Sequence, residues 1–209
     1  MSVIYFDLDG TLITYGKDFH PLFEEALGFE VSKEVHDCWT ENLLSNIKDM
    51  KKEPYRNALE KVEQKFELSI KPEEAAKRRI ETELDSTKIH QGMKELVEEL
   101  SEEHKVGILT NGVEEVQRRK IEKFGLDNLV DEIIISNPEG VRKPDIKIFE
   151  LAKERLKGDN YIYIGDTFEE DVKPAKEVGF KTIYINGERE ADLEATNSET
   201  LAEVLISIL

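Results

Sequence analysis

Two carboxylates stand two residues apart where an apolar run ends, in Val3-Ile4-Tyr5-Phe6-Asp7-Leu8-Asp9-Gly10-Thr11. Like charges placed together at a strand end are costly unless a cation joins them. A bound metal and a reaction on phosphate would account for the pair, because hard divalent cations take oxygen ligands. Three later segments repeat the design. Lys105-Val106-Gly107-Ile108-Leu109 ends in Thr110-Asn111-Gly112, a hydroxyl, an amide and backbone N–H groups at a strand-to-helix junction, which suits an oxyanion. Arg142-Lys143-Pro144-Asp145 precedes a helical pattern, with Pro144 expected at the first helical position and Lys143 at the helix entry. Tyr161-Ile162-Tyr163-Ile164-Gly165 delivers Asp166 at a strand end, and Asp171 follows in the expected first turn of the next helix.

Each segment has a structural reading as well. Asp9-Gly10 could close a simple turn, Thr110-Asn111-Gly112 could start a helix, Lys143 could be a solvated lysine, and Asp171 could be a helix-start acid. Taken together they place a nucleophile candidate, a second carboxylate, a hydroxyl, a lysine and a third carboxylate at the carboxyl ends of predicted parallel strands. That edge is where open α/β sheets bind ligands.

Asp7-Leu8-Asp9-Gly10-Thr11, Thr110-Asn111, Lys143-Pro144 and Gly165-Asp166 with Asp171 resemble, in order and spacing, the four motifs of the haloacid dehalogenase-like superfamily. The presence of Asp9 is similar to the phosphatase and phosphotransferase branch; the carbon–halogen hydrolases lack that second acid. The resemblance implies Asp7 as nucleophile and Asp9 as general acid and base. It implies Thr110, Asn111 and Lys143 as phosphate-binding groups, with Lys143 also neutralising Asp7. It further implies a Mg2+ site on Asp7, Asp166, Asp171 and the backbone carbonyl of Asp9. The expected activity is a Mg2+-dependent phosphatase acting on a small phosphorylated metabolite through an aspartyl phosphate. A phosphotransferase or phosphomutase with the same intermediate, or a non-catalytic binding module of the same fold, stays open. So do the identity of the metabolite and whether the chain is a monomer or a homodimer.

These residues need a scaffold. Apolar runs at 3–8, 105–110, 132–136, 161–166 and 181–186 read as strands that alternate with helical patterns after the second, as in right-handed βα units. Helices are expected at 93–100, 113–124, 143–156 and 198–209. Almost a hundred residues separate the first two strands and show no convincing strand. Their pattern is helical at 19–27, 33–50, 54–68 and 72–84, with Gly28, Pro54 and Pro72 as punctuation. The expected fold class is therefore α/β: a Rossmann-like parallel sheet with helices on both faces, at residues 1–14 and 86–209, plus an inserted α-helical bundle at 15–85. The resemblance implies that this bundle is a cap, with hinges near 14–16 and 85–88.

The formal net charge of −17 argues against nucleic acid or an anionic membrane as partner, since both need a basic face. It does not prevent phosphate binding, because distant charges are screened beyond about 8–10 Å. No apolar stretch approaches the ~20 residues of a membrane span. The N-terminus enters a strand almost at once, leaving no room for a signal peptide, so a cytoplasmic location is expected. The single cysteine, Cys38, reads as a packed thiol, and the four histidines show no metal-ligand spacing.

Overall fold

The structure, a computed structural model, describes residues 1–185 and 192–209. The chain divides into an α/β unit, Met1–Thr14 with Lys88–Leu209, and a helical unit, Tyr15–Thr87. Crossings between them run through β2 (Ile13–Tyr15) and β3 (Thr87–Ile89), which pair as a two-stranded ribbon; β1 is Ser2–Phe6. The two short strands correct the expectation that no strand lies between the first two predicted ones; within the expected insertion at 15–85 only Tyr15 belongs to a strand. With three residues each, they are too short to display a two-residue alternation.

In the helical unit, α1 (Phe19–Leu27), α2 (Lys33–Lys48), α3 (Pro54–Phe66) and α4 (Pro72–Ser86) follow the sequence signals closely. Gly28 closes α1 in the left-handed region, the Ser32 hydroxyl accepts from Val35 N–H to start α2, and Pro54 and Pro72 occupy first-turn positions. Helical spacing buries Phe23, Trp39, Leu43, Leu59 and Val62, with Phe23 and Trp39 stacked at 4.5 Å. Arg79, 1% exposed, is held there by Glu83 at 3.1 Å and lies over the Trp39 ring. Cys38 is buried. Lys17 pairs with Glu25, and Arg56 with Glu53 and Glu60.

The α/β unit continues through α5 (Met93–Glu103), β4 (Lys105–Thr110), α6 (Glu114–Lys123), β5 (Glu132–Ile135), α7 (Ser136–Glu139), α8 (Ile146–Arg155) and β6 (Asn160–Gly165). A π-helical turn at Phe168–Val172 leads into α9 (Lys173–Glu177), then β7 (Lys181–Ile185), β8 (Leu193–Ala195) and α10 (Ser198–Ile206). Asn186, the last residue of the expected fifth strand, lies outside the described residues.

The six-stranded sheet runs β5-β4-β1-β6-β7-β8, with every pair parallel. Renumbered along the sheet's own strands this is the doubly wound order 3-2-1-4-5-6, whose reversal lies beside β1. All five residues of β1 are buried. Ile4 and Phe6 pack on one face with Met93, Val97, Ile121 and Leu201; Val3 and Tyr5 pack on the other with Ile148, Phe149 and Phe180. Burial on both faces is why the strand reads as a continuous apolar run.

Two local expectations are corrected. The helix after Lys143 starts at Ile146, not at Pro144, because Asp145 takes the capping position and its carboxylate accepts from Lys147 N–H. Pro144 lies before the helix, joined to Lys143 by a cis bond. Asp171 lies in the π-helical turn before α9 and is 1% exposed, where a helix-start acid would be wet.

Candidate active site

Register brings the carboxyl ends of three strands level. Phe6 aligns with Ile108 on β4 and with Ile164 on β6, so Asp7, Leu109 and Gly165 stand side by side one residue on. Asp7 N–H donates to the Ile164 carbonyl at 2.9 Å, which fixes the backbone from which its carboxylate projects.

The Lys143 ammonium is the hub. It is buried and donates to Asp7 Oδ1 at 2.7 Å, to Asp171 Oδ1, and to the Tyr163 hydroxyl at 3.0 Å. Tyr163 Oη in turn lies 3.1 Å from both the Leu109 carbonyl and Asp171 Oδ1. Asp171 is locked by Thr167 N–H, which donates to its other oxygen at 3.0 Å. Oxygens of Asp7, Asp166 and Asp171 all lie within 4.8 Å of one another. Gly165 permits this crowding, since a Cβ there would collide with Asp171. At Gly10, with φ of +90°, a Cβ would overlap the Asp166 carboxylate.

The charges do not balance locally. Burial lifts the Asp7 carboxyl well above the usual range; Lys143 opposes the rise, while Asp171 and Asp9 add to it. Asp166 is raised by burial and then by Asp171. Burial alone would discharge Lys143, but Asp171 and Asp7 outweigh it and hold the ammonium protonated. Burial and the Asp171 charge likewise keep the Tyr163 phenol neutral. Three carboxylates around one ammonium leave an excess of negative charge and a set of hard oxygen donors, which is what a divalent cation such as Mg2+ requires.

The remaining sequence candidates fall into two groups. Asn111 clasps the loop that carries Lys143: its Oδ1 accepts from Lys143 N–H at 2.9 Å, and its Nδ2 donates to the Lys143 carbonyl and to Glu170, each at 3.0 Å. Its side chain is thus engaged with protein groups. Thr110 and Asp9 meet through Gln117, whose Nε2 donates to Thr110 Oγ1 at 2.8 Å and to Asp9 Oδ2 at 2.7 Å. Lys120 donates to Asp9 Oδ1 at 3.0 Å. The Asp9 side chain is therefore turned to α6, outside the Asp7–Asp166–Asp171 cluster.

Sequence reasoning missed Tyr163, Gln117, Lys120 and Glu170. A signal existed for two of them. Residues 113, 116, 117, 120, 121 and 124 share one helical face, so Gln117 and Lys120 lie between apolar neighbours on the side that packs inward.

A family model described as haloacid dehalogenase-like hydrolase matches residues 1–179. A glyceraldehyde 3-phosphate phosphatase of Methanocaldococcus jannaschii is 34% identical over 43% of this chain and 40% of its own length. The pyrimidine 5'-nucleotidase YjjG of Escherichia coli is 35% identical over 39% of this chain and 38% of its own. This chain thus spans about two fifths of the length of these curated relatives. The crystal structure of a HAD phosphatase from Thermococcus onnurineus superposes with a TM-score of 0.66, at 27% identity, covering 98% of both chains. Among the described residues no helix is long and apolar enough to cross a membrane.

Proposed function

The chain belongs to the haloacid dehalogenase-like hydrolases, and on that premise we propose that it is a Mg2+-dependent phosphatase acting on a small phosphorylated metabolite. The single observation that carries the reading is Lys143, buried between Asp7 and Asp171 and beside Asp166 at the carboxyl edge of the sheet. A lysine is costly to bury, and so is a carboxylate. Several gathered at a ligand-binding edge fit a bound divalent cation, and the phosphate such a cation attracts, better than they fit stability.

In this reading Asp7 is the nucleophile. One carboxylate oxygen attacks phosphorus, the bond from phosphorus to the leaving oxygen breaks, and Asp9 gives that oxygen its proton. Water then attacks the phosphorus of the aspartyl phosphate, Asp9 takes back a proton, and inorganic phosphate leaves with Asp7 restored. Lys143 aligns Asp7 and offsets charge on the phosphoryl oxygens. Thr110 supplies a hydroxyl to a phosphoryl oxygen, and Asn111 serves the site by fixing the backbone of Lys143. Asp7, Asp166, Asp171 and the Asp9 carbonyl would hold Mg2+, which when bound supplies positive charge between the attacking carboxylate and the phosphate. The helical unit acts as the cap and selects the leaving group. The phosphatase and the nucleotidase among the relatives differ in their leaving groups, in keeping with selection made outside the phosphate site.

The test is phosphate release from p-nitrophenyl phosphate with Mg2+. Asp7→Asn is expected to lower kcat by about 10³-fold or more while the protein still binds Mg2+. Undiminished turnover in Asp7→Asn would remove the nucleophile assignment.

A further inference from the structure

Both oxygens of the Asp9 carboxylate are engaged, and among their partners Gln117 and Lys120 come from one face of α6. Gln117 and Lys120, three residues apart, are 2% and 3% exposed. A lysine ammonium ordinarily stays in water, yet Lys120 is drawn inward and donates to Asp9 Oδ1 at 3.0 Å. Gln117 is equally specific. Its Nε2 faces Asp9 Oδ2 at 2.7 Å and Thr110 Oγ1 at 2.8 Å, while the Asn111 carbonyl is more distant at 3.3 Å. The amide orientation is set by this network, because a flipped amide would point its oxygen at a carboxylate.

The donor directions have a consequence. An amide nitrogen can only donate, so Thr110 Oγ1 accepts from Gln117, and its own hydrogen meets the Asn111 carbonyl at 3.3 Å, a long contact that a nearer acceptor can replace. A phosphoryl oxygen carries lone pairs alone and needs such a donor. The same amide steadies Asp9, the acid that protonates the leaving group in this reading, and the Lys120 ammonium fixes that acid's second oxygen.

We propose that Gln117 and Lys120 are positioning residues that aim the Asp9 carboxyl at the leaving oxygen, with Gln117 also directing the Thr110 hydroxyl toward the phosphoryl group. The inference rests on the phosphatase reading above, and it adds two residues of α6 to that machinery. They act through Asp9 and Thr110 and do not touch the reacting atoms.

The experiment compares kcat/KM for p-nitrophenyl phosphate with kcat/KM for an alkyl phosphate of poor leaving group, in saturating Mg2+. The proteins are wild type, Lys120→Met, Lys120→Arg, Gln117→Met, Asp9→Asn and Asp9→Asn with Lys120→Met, each checked for folding by circular dichroism. Lys120→Met is expected to lose about tenfold on the alkyl phosphate and under about threefold on the aryl one. Lys120→Arg, which keeps the donor charge, is expected to recover most of the loss. In the Asp9→Asn background, Lys120→Met is expected to add less than about twofold, because the group it serves is gone. Equal losses on both substrates, or a full additional loss in the double variant, would overturn the inference. If Lys120→Met does not fold, Gln117→Met carries the same comparison with the same expected contrast. If Asp9→Asn itself shows no dependence on the leaving group, the acid–base reading of Asp9 fails; if it does and the α6 variants do not, only the positioning roles fail.

Discussion

Lys143→Met removes the one ammonium between Asp7 and Asp171, which are 6% and 1% exposed, and the size of the damage can be worked out. Leaving both carboxylates ionised without their partner would cost about 3–5 kcal/mol. The alternative is for one of them to take up a proton. Holding a carboxyl protonated costs about 1.4 kcal/mol per pH unit above an ordinary value near 3.9, hence about 4 kcal/mol at pH 7 and about 1.5 kcal/mol at pH 5. The cheaper route sets the loss, so the variant should be about 3–4 kcal/mol less stable than wild type at pH 7 and only about 1.5 kcal/mol less stable at pH 5. The sign follows from linkage. The protonated carboxyl has a folded-state value above its unfolded one, so its contribution is complete at low pH and is lost as pH rises toward and through that raised value. Urea unfolding followed by far-UV circular dichroism at pH 5, 6 and 7, with chelator present, measures the gap. Replacing chelator with Mg2+ should narrow it, since the variant cluster, lacking the ammonium charge, binds the cation more tightly than wild type and gains more stability by mass action. A variant as stable as wild type at pH 7, or a loss that does not change with pH, would refute the view that Lys143 neutralises a buried carboxylate pair.

Three further outcomes are expected. Asn111→Ala unfastens the Lys143 backbone by deleting hydrogen bonds worth about 0.5–1.5 kcal/mol each; kcat/KM for p-nitrophenyl phosphate should fall about tenfold, and an unchanged value would deny Asn111 its clasping role. Leu59→Ala empties a fully buried position in the helical unit and should cost about 2–5 kcal/mol, read from urea titration of the fluorescence of Trp39, which lies in the same unit. Burial holds His36 below its ordinary value, with His20 and Arg79 pushing the same way and Asp37 opposing. The unfolded chain therefore binds that proton more readily, and stability present above about pH 6.5 is lost as pH falls toward the folded value. Thermal melts between pH 7 and pH 5 should show a shallower acid slope for His36→Gln than for wild type.

Which parts of this molecule could be read from the chain follows from how each part is stabilised. The strands at 105–110 and 161–166 announce themselves because burial on both faces demands uninterrupted apolar side chains. The four helices of the insertion were legible from Pro54, Pro72, Gly28 and the spacing of their apolar residues. β2, β3 and β8 were not, because three residues in a strand held by backbone pairing leave no pattern in side chains. Pro144 misled for a related reason: proline suits a helix start, but Asp145 beside it is a better cap. Asp7, Asp9 and Asp166 stood out as charged residues at the ends of apolar runs, Lys143 as the residue before Pro144 at an expected helix entry, and Asp171 as an acid in the expected first turn of the next helix. Tyr163 did not, since an aromatic residue in a buried strand looks like packing whether or not its hydroxyl is in use.

The same blind spot hides how Asp7 and Asp9 differ. Their types are identical and their spacing of two suggests side chains on one side of a strand. The strand, however, ends at Phe6, and the chain turns through Gly10, so the alternation no longer applies. Asp7 is drawn to Lys143 in the buried cluster; Asp9, with its side chain 30% exposed, is drawn to Lys120 and Gln117. A nucleophile must be aimed at phosphorus, whereas a group that gives up a proton and recovers it needs access to water and to the leaving oxygen. The proposed division of labour therefore comes from the two lysines and the turn between the acids, all remote in sequence from the residue type itself. Exchanging the environments, not the carboxylates, is what should exchange the roles.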